Sequence, residues 1–344
     1  MPLSALSSLI VSLDAPLRAL AAALAVLVGH AAPAAAPAAA PAHPAGIPSH
    51  PAARAPFAVG ERVITITDPS RTVQFPGQPR QPRKLVTVIR YPAVGASSET
   101  DVAGAVPDRP AGPFPLVIFG HGFTVTPTIY ARLLAAWARA GYVVAAPIFP
   151  LENENAPGGP DESDLTNQPR DMSVVITRMI EANADRAGAF HGLIDPRRVA
   201  VAGQSDGGDT ALAVAYDRYF LDRRVRAAVI LSGMEIPGVG GFDFARAGRP
   251  QSPPLLATQG TADTINPPNF TRMFFEAAPA PKYLLQLLGA GHIGPYTDEQ
   301  PQLGIVERVT IAFLDGYLKG EPDGVRRMIA AGNVSGVASL ESDR

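Results

Sequence analysis

Cysteine is absent from this 344-residue chain, and its absence removes much chemistry. No disulfide, thiolate nucleophile or Cys-ligated zinc can form. Anchoring through a lipidated N-terminal cysteine is excluded too. If the protein is exported, its core alone must hold it together. Charge is also sparse. Asp, Glu, Lys and Arg make up 17% of residues, the formal net charge is −2, and there is no basic block. Nucleic acid or an anionic membrane surface is therefore not the expected main partner, although a small charged ligand stays open. Long apolar runs are scarce, and the one that stands out lies near the N-terminus.

Arg18 precedes that run, Ala19–Gly29, and the small residues Ala31-Ala32-Pro33-Ala34-Ala35-Ala36 follow it. This resembles a secretory signal peptide. The run is shorter than the ~20 residues a spanning helix needs. Asp14 and the long stretch before Arg18 are atypical, and a membrane anchor is the competing reading. The expected organisation is a leader over 1–36, an Ala/Pro-rich linker over 37–56 and a folded domain over 57–344. The expected location is secreted or periplasmic, with no stable membrane span after signal removal. His43 and His50 in the linker read as incidental.

Hydrophobic residues are 47% of the chain, enough for a sizeable core. After Phe57, short apolar runs alternate with amphipathic stretches. Arg62–Thr67 and Lys84–Tyr91 alternate with period two and read as antiparallel edge strands, with Asp68-Pro69-Ser70 and Gly77–Pro82 as turns. Pro115–Phe119, Tyr142–Pro147, Arg198–Ala202, Arg226–Ser232, Pro254–Gln259 and Lys282–Leu288 read as buried strands. Helices are expected over Thr128–Ala140, Asp171–Asn183, Gly208–Tyr216 and Val306–Leu318, the last closing the domain. Leu151–Gln168 reads as a polar loop, either solvated surface or a partial substrate cover. The predicted fold class is α/β: a mostly parallel central sheet, antiparallel N-terminal edge strands and helices on both faces.

Gly203-Gln204-Ser205-Asp206-Gly207 joins a predicted strand to a predicted helix. That context makes it a nucleophile elbow, a tight turn that lifts a serine hydroxyl above a sheet. A serine hydroxyl needs a histidine to take its proton, and the histidine needs a carboxylate to hold its tautomer. In this architecture the chain order is Ser, acid, His. His292 is the one histidine after Ser205; His121 and His191 precede it. Asp263 is the expected acid, with Glu235 as runner-up. The expected oxyanion donors are the backbone N–H groups of Asp206 and Phe123. His121 then reads as bracing its loop. No cofactor or metal is expected.

His121-Gly122-Phe123, Gly203–Gly207, Gly260-Thr261-Ala262-Asp263 and Gly291-His292 together resemble an α/β-hydrolase. Asp68-Pro69-Ser70-Arg71 and Arg90-Tyr91-Pro92-Ala93 are similar to the group of secreted lipases, polyester hydrolases, platelet-activating-factor acetylhydrolases and chlorophyllases. Polyester hydrolases usually carry His or Trp before the serine and Met or Ala after it. Here Gln204 and Asp206 stand there, which departs from polyester activity. The resemblance implies a serine hydrolase acting on a small-molecule or lipid-like ester. A peptidase or amidase on the same fold is the alternative, and a silent binding protein on that scaffold is a third.

Overall fold

The computed structural model describes residues 56–242, 244 and 252–344. The expected leader, and the linker up to residue 55, lie outside the described residues. Residues 54–344 form one compact unit. Its strands are β1 (Ala58–Val73), β2 (Gln81–Ala93), β3 (Val102–Ala103), β4 (Phe114–Gly120), β5 (Val143–Ile148), β6 (Ile194–Gln204), β7 (Val225–Leu231), β8 (Leu255–Gly260), β9 (Lys282–Leu287) and β10 (Ala338–Asp343). They make one sheet in the order β10-β9-β8-β7-β6-β4-β5-β2-β1-β3. The six strands from β9 to β5 run parallel. β2 is antiparallel to both β5 and β1, and β10 is antiparallel to β9. This is the expected α/β-hydrolase architecture.

The helices are α1 (Ala131–Arg139), α2 (Gln168–Ala184), α3 (Asp206–Tyr216), α4 (Pro268–Ala277), α5 (Gly294–Thr297), α6 (Gln302–Leu314) and α7 (Gly324–Gly332). Alternation along each strand sorts the core into two layers. Leu116 and Ile118 of β4 face Met172 and Ile176 of α2 and Leu212 of α3. Val117 and Phe119 face Leu133 and Trp137 of α1 and Val306 and Phe313 of α6. Burial on both faces explains why the central strands read as continuous apolar runs.

Four expectations change. Asp68-Pro69-Ser70 is not a turn; β1 runs through it, with a register shift against β2 between Asp68 and Thr72. Asp68 accepts from Ser70 N–H at 2.9 Å and from Arg71 Nε at 2.6 Å, so side-chain bonds stand in for the interrupted ladder. The stretch 151–168 is partly built in. A 3-10 turn spans Glu162–Asn167, Leu165 packs on Ala213 and Ile236, and Gln168 already begins α2. α6 starts four residues before Val306, at Gln302, and ends at Leu314, where a π-helical turn takes over from Asp315 to Lys319. Nor does it close the domain: α7 and β10 follow and cover the β9 edge.

Candidate active site

The order of the strands decides where the site lies. From β4 the chain moves to β5 on one side and later to β6 on the other. The loops leaving the C-terminal ends of β4 and β6 therefore part and leave a crevice between them. Gly120, the last residue of β4, and Gly203, the last but one of β6, are register partners. β6 ends at Gln204 and α3 begins at Asp206, so Ser205 stands alone in the turn with φ 55° and ψ −127°. That strained conformation costs on the order of 1–3 kcal/mol in a residue with a Cβ. The turn closes because its flanks are glycine. A Cβ on Gly203 would sit 2.0 Å from the Gly207 carbonyl oxygen, and one on Gly207 would sit 2.1 Å from that of Gly120.

Two further loops reach the serine. His292 follows β9, and its Nε2 lies 2.9 Å from Ser205 Oγ. Its Nδ1 lies 2.7 Å from Asp263 Oδ2, which follows β8. Asp263 also accepts from Ile265 N–H (2.9 Å), Asn266 N–H (3.0 Å) and Gln259 Nε2 (3.1 Å). Burial alone would raise its carboxyl pKa. The bond to His292, the His292 charge and the two backbone donors outweigh burial and hold it below the usual range. A carboxylate at Nδ1 keeps the proton there and turns the Nε2 lone pair toward the serine hydroxyl. The arrangement can take a proton from that hydroxyl. Glu235, the runner-up acid, is exposed beyond β7. His191 lies just before β6, at the opposite end of the sheet from Ser205.

As the first residue of α3, Asp206 carries an N–H with no acceptor one turn back. Phe123 sits half-buried in the loop after β4, and the next amide, Thr124 N–H, donates to the Glu152 carbonyl at 2.8 Å. Thr124 itself has φ 63°. His121 holds this loop from inside: Nδ1 donates to the Gly122 carbonyl at 2.8 Å and Nε2 accepts from Phe149 N–H at 2.9 Å. Complete burial pushes its pKa down to about 4, so it stays neutral. A helix N-terminus favours a negative charge, yet at Asp206 burial and the Glu162 charge push the side-chain pKa up to about 6 against the opposing pull of His292.

Gln204 and Tyr130 belong to the site, and the sequence did not mark them for it. Gln204 Nε2 donates to the His292 carbonyl at 3.0 Å, and Tyr130 Oη donates to Gln204 Oε1 at 2.6 Å. Gly122 N–H reaches Tyr130 Oη at 3.4 Å. One buried chain thus links the loop after β4 to the loop after β9. Gln259 braces the loop after β8 from beneath Asp263, its Nε2 donating to Asp263 Oδ2 and the Asn266 carbonyl while Thr271 Oγ1 donates to its Oε1 at 2.7 Å. The available signal was the unusual Gln before the serine; Tyr130 looked like ordinary helix core.

A family model described as chlorophyllase matches residues 98–234. That span holds the loop after β4 and the elbow but not Asp263 or His292. Chlorophyllase-2 of Arabidopsis thaliana is 21% identical over 257 residues, covering 61% of this chain and 75% of that protein. The matches support an α/β-hydrolase of the chlorophyllase-like group. The similarity suggests a hydrolase acting on a small-molecule ester. Among the described residues, no helix is long and apolar enough to cross a membrane.

Proposed function

We propose that this chlorophyllase-like protein is a serine carboxylic-ester hydrolase working through an acyl-enzyme. Ser205 Oγ attacks the ester carbonyl while His292 Nε2 takes its proton. Asp263 holds the imidazole and balances the imidazolium charge as it forms. The N–H groups of Asp206 and Phe123 receive the oxyanion. His292 returns the proton to the leaving alcohol. Water, deprotonated by the same histidine, then attacks the acyl carbonyl and frees Ser205.

The single observation behind this reading is His292 bridging Ser205 Oγ at 2.9 Å and Asp263 at 2.7 Å. The curated relative's name points to chlorophyll, an ester with a long apolar alcohol. Such lipid-like esters belong in the substrate series beside short p-nitrophenyl esters. S205A is expected to abolish ester turnover and fluorophosphonate labelling while melting within a few degrees of wild type. Full activity in S205A, or no labelling of the wild type, overturns the reading. Faster cleavage of a matched anilide than of its ester would favour an amidase instead.

A further inference from the structure

Next to the elbow, four buried polar atoms lack partners. Glu152 is fully buried, and neither of its carboxylate oxygens has a hydrogen-bond partner among the described residues. The same holds for Asp206 Oδ2 and Gln168 Nε2. Such atoms are rare in native interiors because each has given up its hydration with nothing in return. These four are neighbours. The Asp206 charge acts directly on the Glu152 carboxyl, and the Gln168 amide lies beside it. Gln168 Oε1 is already taken by Thr210 Oγ1 of α3 at 2.8 Å, so its amide nitrogen is the end left for Glu152. A metal does not fit, because no cluster of three or more His, Asp or Glu among the described residues is arranged to hold one.

One proton resolves all four atoms. A neutral Glu152 would accept the Gln168 N–H at its carbonyl oxygen and have its O–H free to offer toward Asp206 Oδ2, whose charge already acts on it. The Glu152 main chain matters as well, since its carbonyl accepts Thr124 N–H at the end of the loop that carries Phe123. Both proposed oxyanion donors are therefore anchored through one residue. We propose that Glu152 is a positioning residue of the oxyanion site, a neutral carboxylic acid whose proton is shared with Asp206 and locks the two donor segments together. This rests on the hydrolase reading above.

The surroundings favour the neutral form. Burial, first, and then Asp206 of α3, Asp164 and Glu162 of the 3-10 turn all raise the Glu152 pKa. Gln168 of α2 opposes them, and the result is a pKa pushed up to about 9. Asp206, facing Glu162 and His292, is pushed up to about 6. Asp209, one helical turn on, is fully buried and also raised. Arg83 is spoken for by Asp164 and Asp171. Between roughly pH 6 and 9 the pair holds one proton. Above that range two adjoining negative charges would stand behind donors meant for an anion.

The test compares wild type, E152Q and E152L from pH 5 to 10, using ester turnover, fluorophosphonate labelling of Ser205 and melting temperature. E152L is expected to lose at least tenfold in kcat at pH 7.5 with KM within twofold. E152Q, which keeps a donor for Asp206, should restore most of that loss. Wild-type kcat should fall above pH 9, while that of E152Q should not. Because folding forces Glu152 to stay protonated, E152Q should also melt higher than wild type, by a margin that widens from pH 5 to pH 9. An E152Q alkaline limb that tracks the wild type, a constant melting gap, or an E152L enzyme with wild-type kcat each overturns the inference. If E152L does not fold, the E152Q limb and melting gap decide. Absence of wild-type labelling instead sinks the hydrolase reading and this inference with it.

Discussion

In the proposed mechanism His292 can act only if its proton stays on the Asp263 side. D263N removes the carboxylate but keeps the shape, so the amide can stabilise the wrong tautomer. We expect kcat to fall about 10³–10⁴-fold with little change in fold, measured on a short ester at pH 7.5. The pKa of Asp263 is lowered in the folded protein, so its contribution to stability has a definite sign. It is fully present above the unfolded carboxyl value of about 3.9 and is lost as pH falls through the lower folded value. The melting difference between wild type and D263N should therefore be flat near neutrality and shrink only in strong acid. At the same scale, Gln204 and Tyr130 show how roles arise that composition cannot signal. Tyr130 looks like an ordinary interior residue, and Gln204 is marked only as an unusual neighbour of the serine, until β6, the 3-10 turn Pro127–Tyr130 and the loop after β9 bring them together.

At the scale of elements, the β1–β2 hairpin is clamped to the segment that carries Glu152 and Gln168. Arg83 of β2 forks between Asp164 and Asp171, with contacts of 2.5–2.9 Å, and is itself buried. Arg71 of β1 adds bonds to Asp68 and Asp171, both 2.6 Å. Removing one member leaves buried charge uncompensated, which typically costs about 3–5 kcal/mol. R83M should melt lower by on the order of 10 °C at pH 7.5. Without the guanidinium, the burial that already raises the Asp171 pKa loses its main opposing partner. Carboxyl groups are easier to bury once protonated, so the deficit should be smaller at pH 4.5 than at pH 7.5. A deficit that does not depend on pH would show that the network contributes through packing alone.

Over the whole molecule, the antiparallel C-terminal strand protects the parallel sheet. β10 pairs with β9 over Ala338–Asp343, and α7 sets Met328 into the core layer shared with α6. Truncation after Lys319 keeps every proposed site residue. It nevertheless uncovers the β9 edge, an exposed pairing template directly before His292. The truncated chain should aggregate or melt at least several degrees lower in a thermal scan, with labelling of Ser205 reduced in step.

The strands were legible where burial on both faces produced apolar runs, as in Val117–Phe119 and Ala227–Leu231. The elbow was legible because glycine is required at Gly203 and Gly207 on steric grounds. The Asp68 bulge was not, because Asp-Pro-Ser is equally good turn chemistry and only pairing with β2 keeps it in a strand. β10 was missed because its edge position leaves Glu341 and Asp343 exposed and breaks the apolar pattern. The helix over Pro268–Ala277 was missed as well, its apolar positions packing against one face only.

Local rules, then, were enough to specify the layered α/β architecture, the strained serine and the order of the proposed site residues along the chain. Steric exclusion and hydrophobic periodicity act over a few residues, and a linear text records them. The meeting of Ser205, His292 and Asp263, the Gln204–Tyr130 brace and the sealed Glu152 carboxyl came from the way distant loops converge above the sheet. Distance, burial and the field of neighbouring charges are properties of the assembled chain, and they govern which proton sits where.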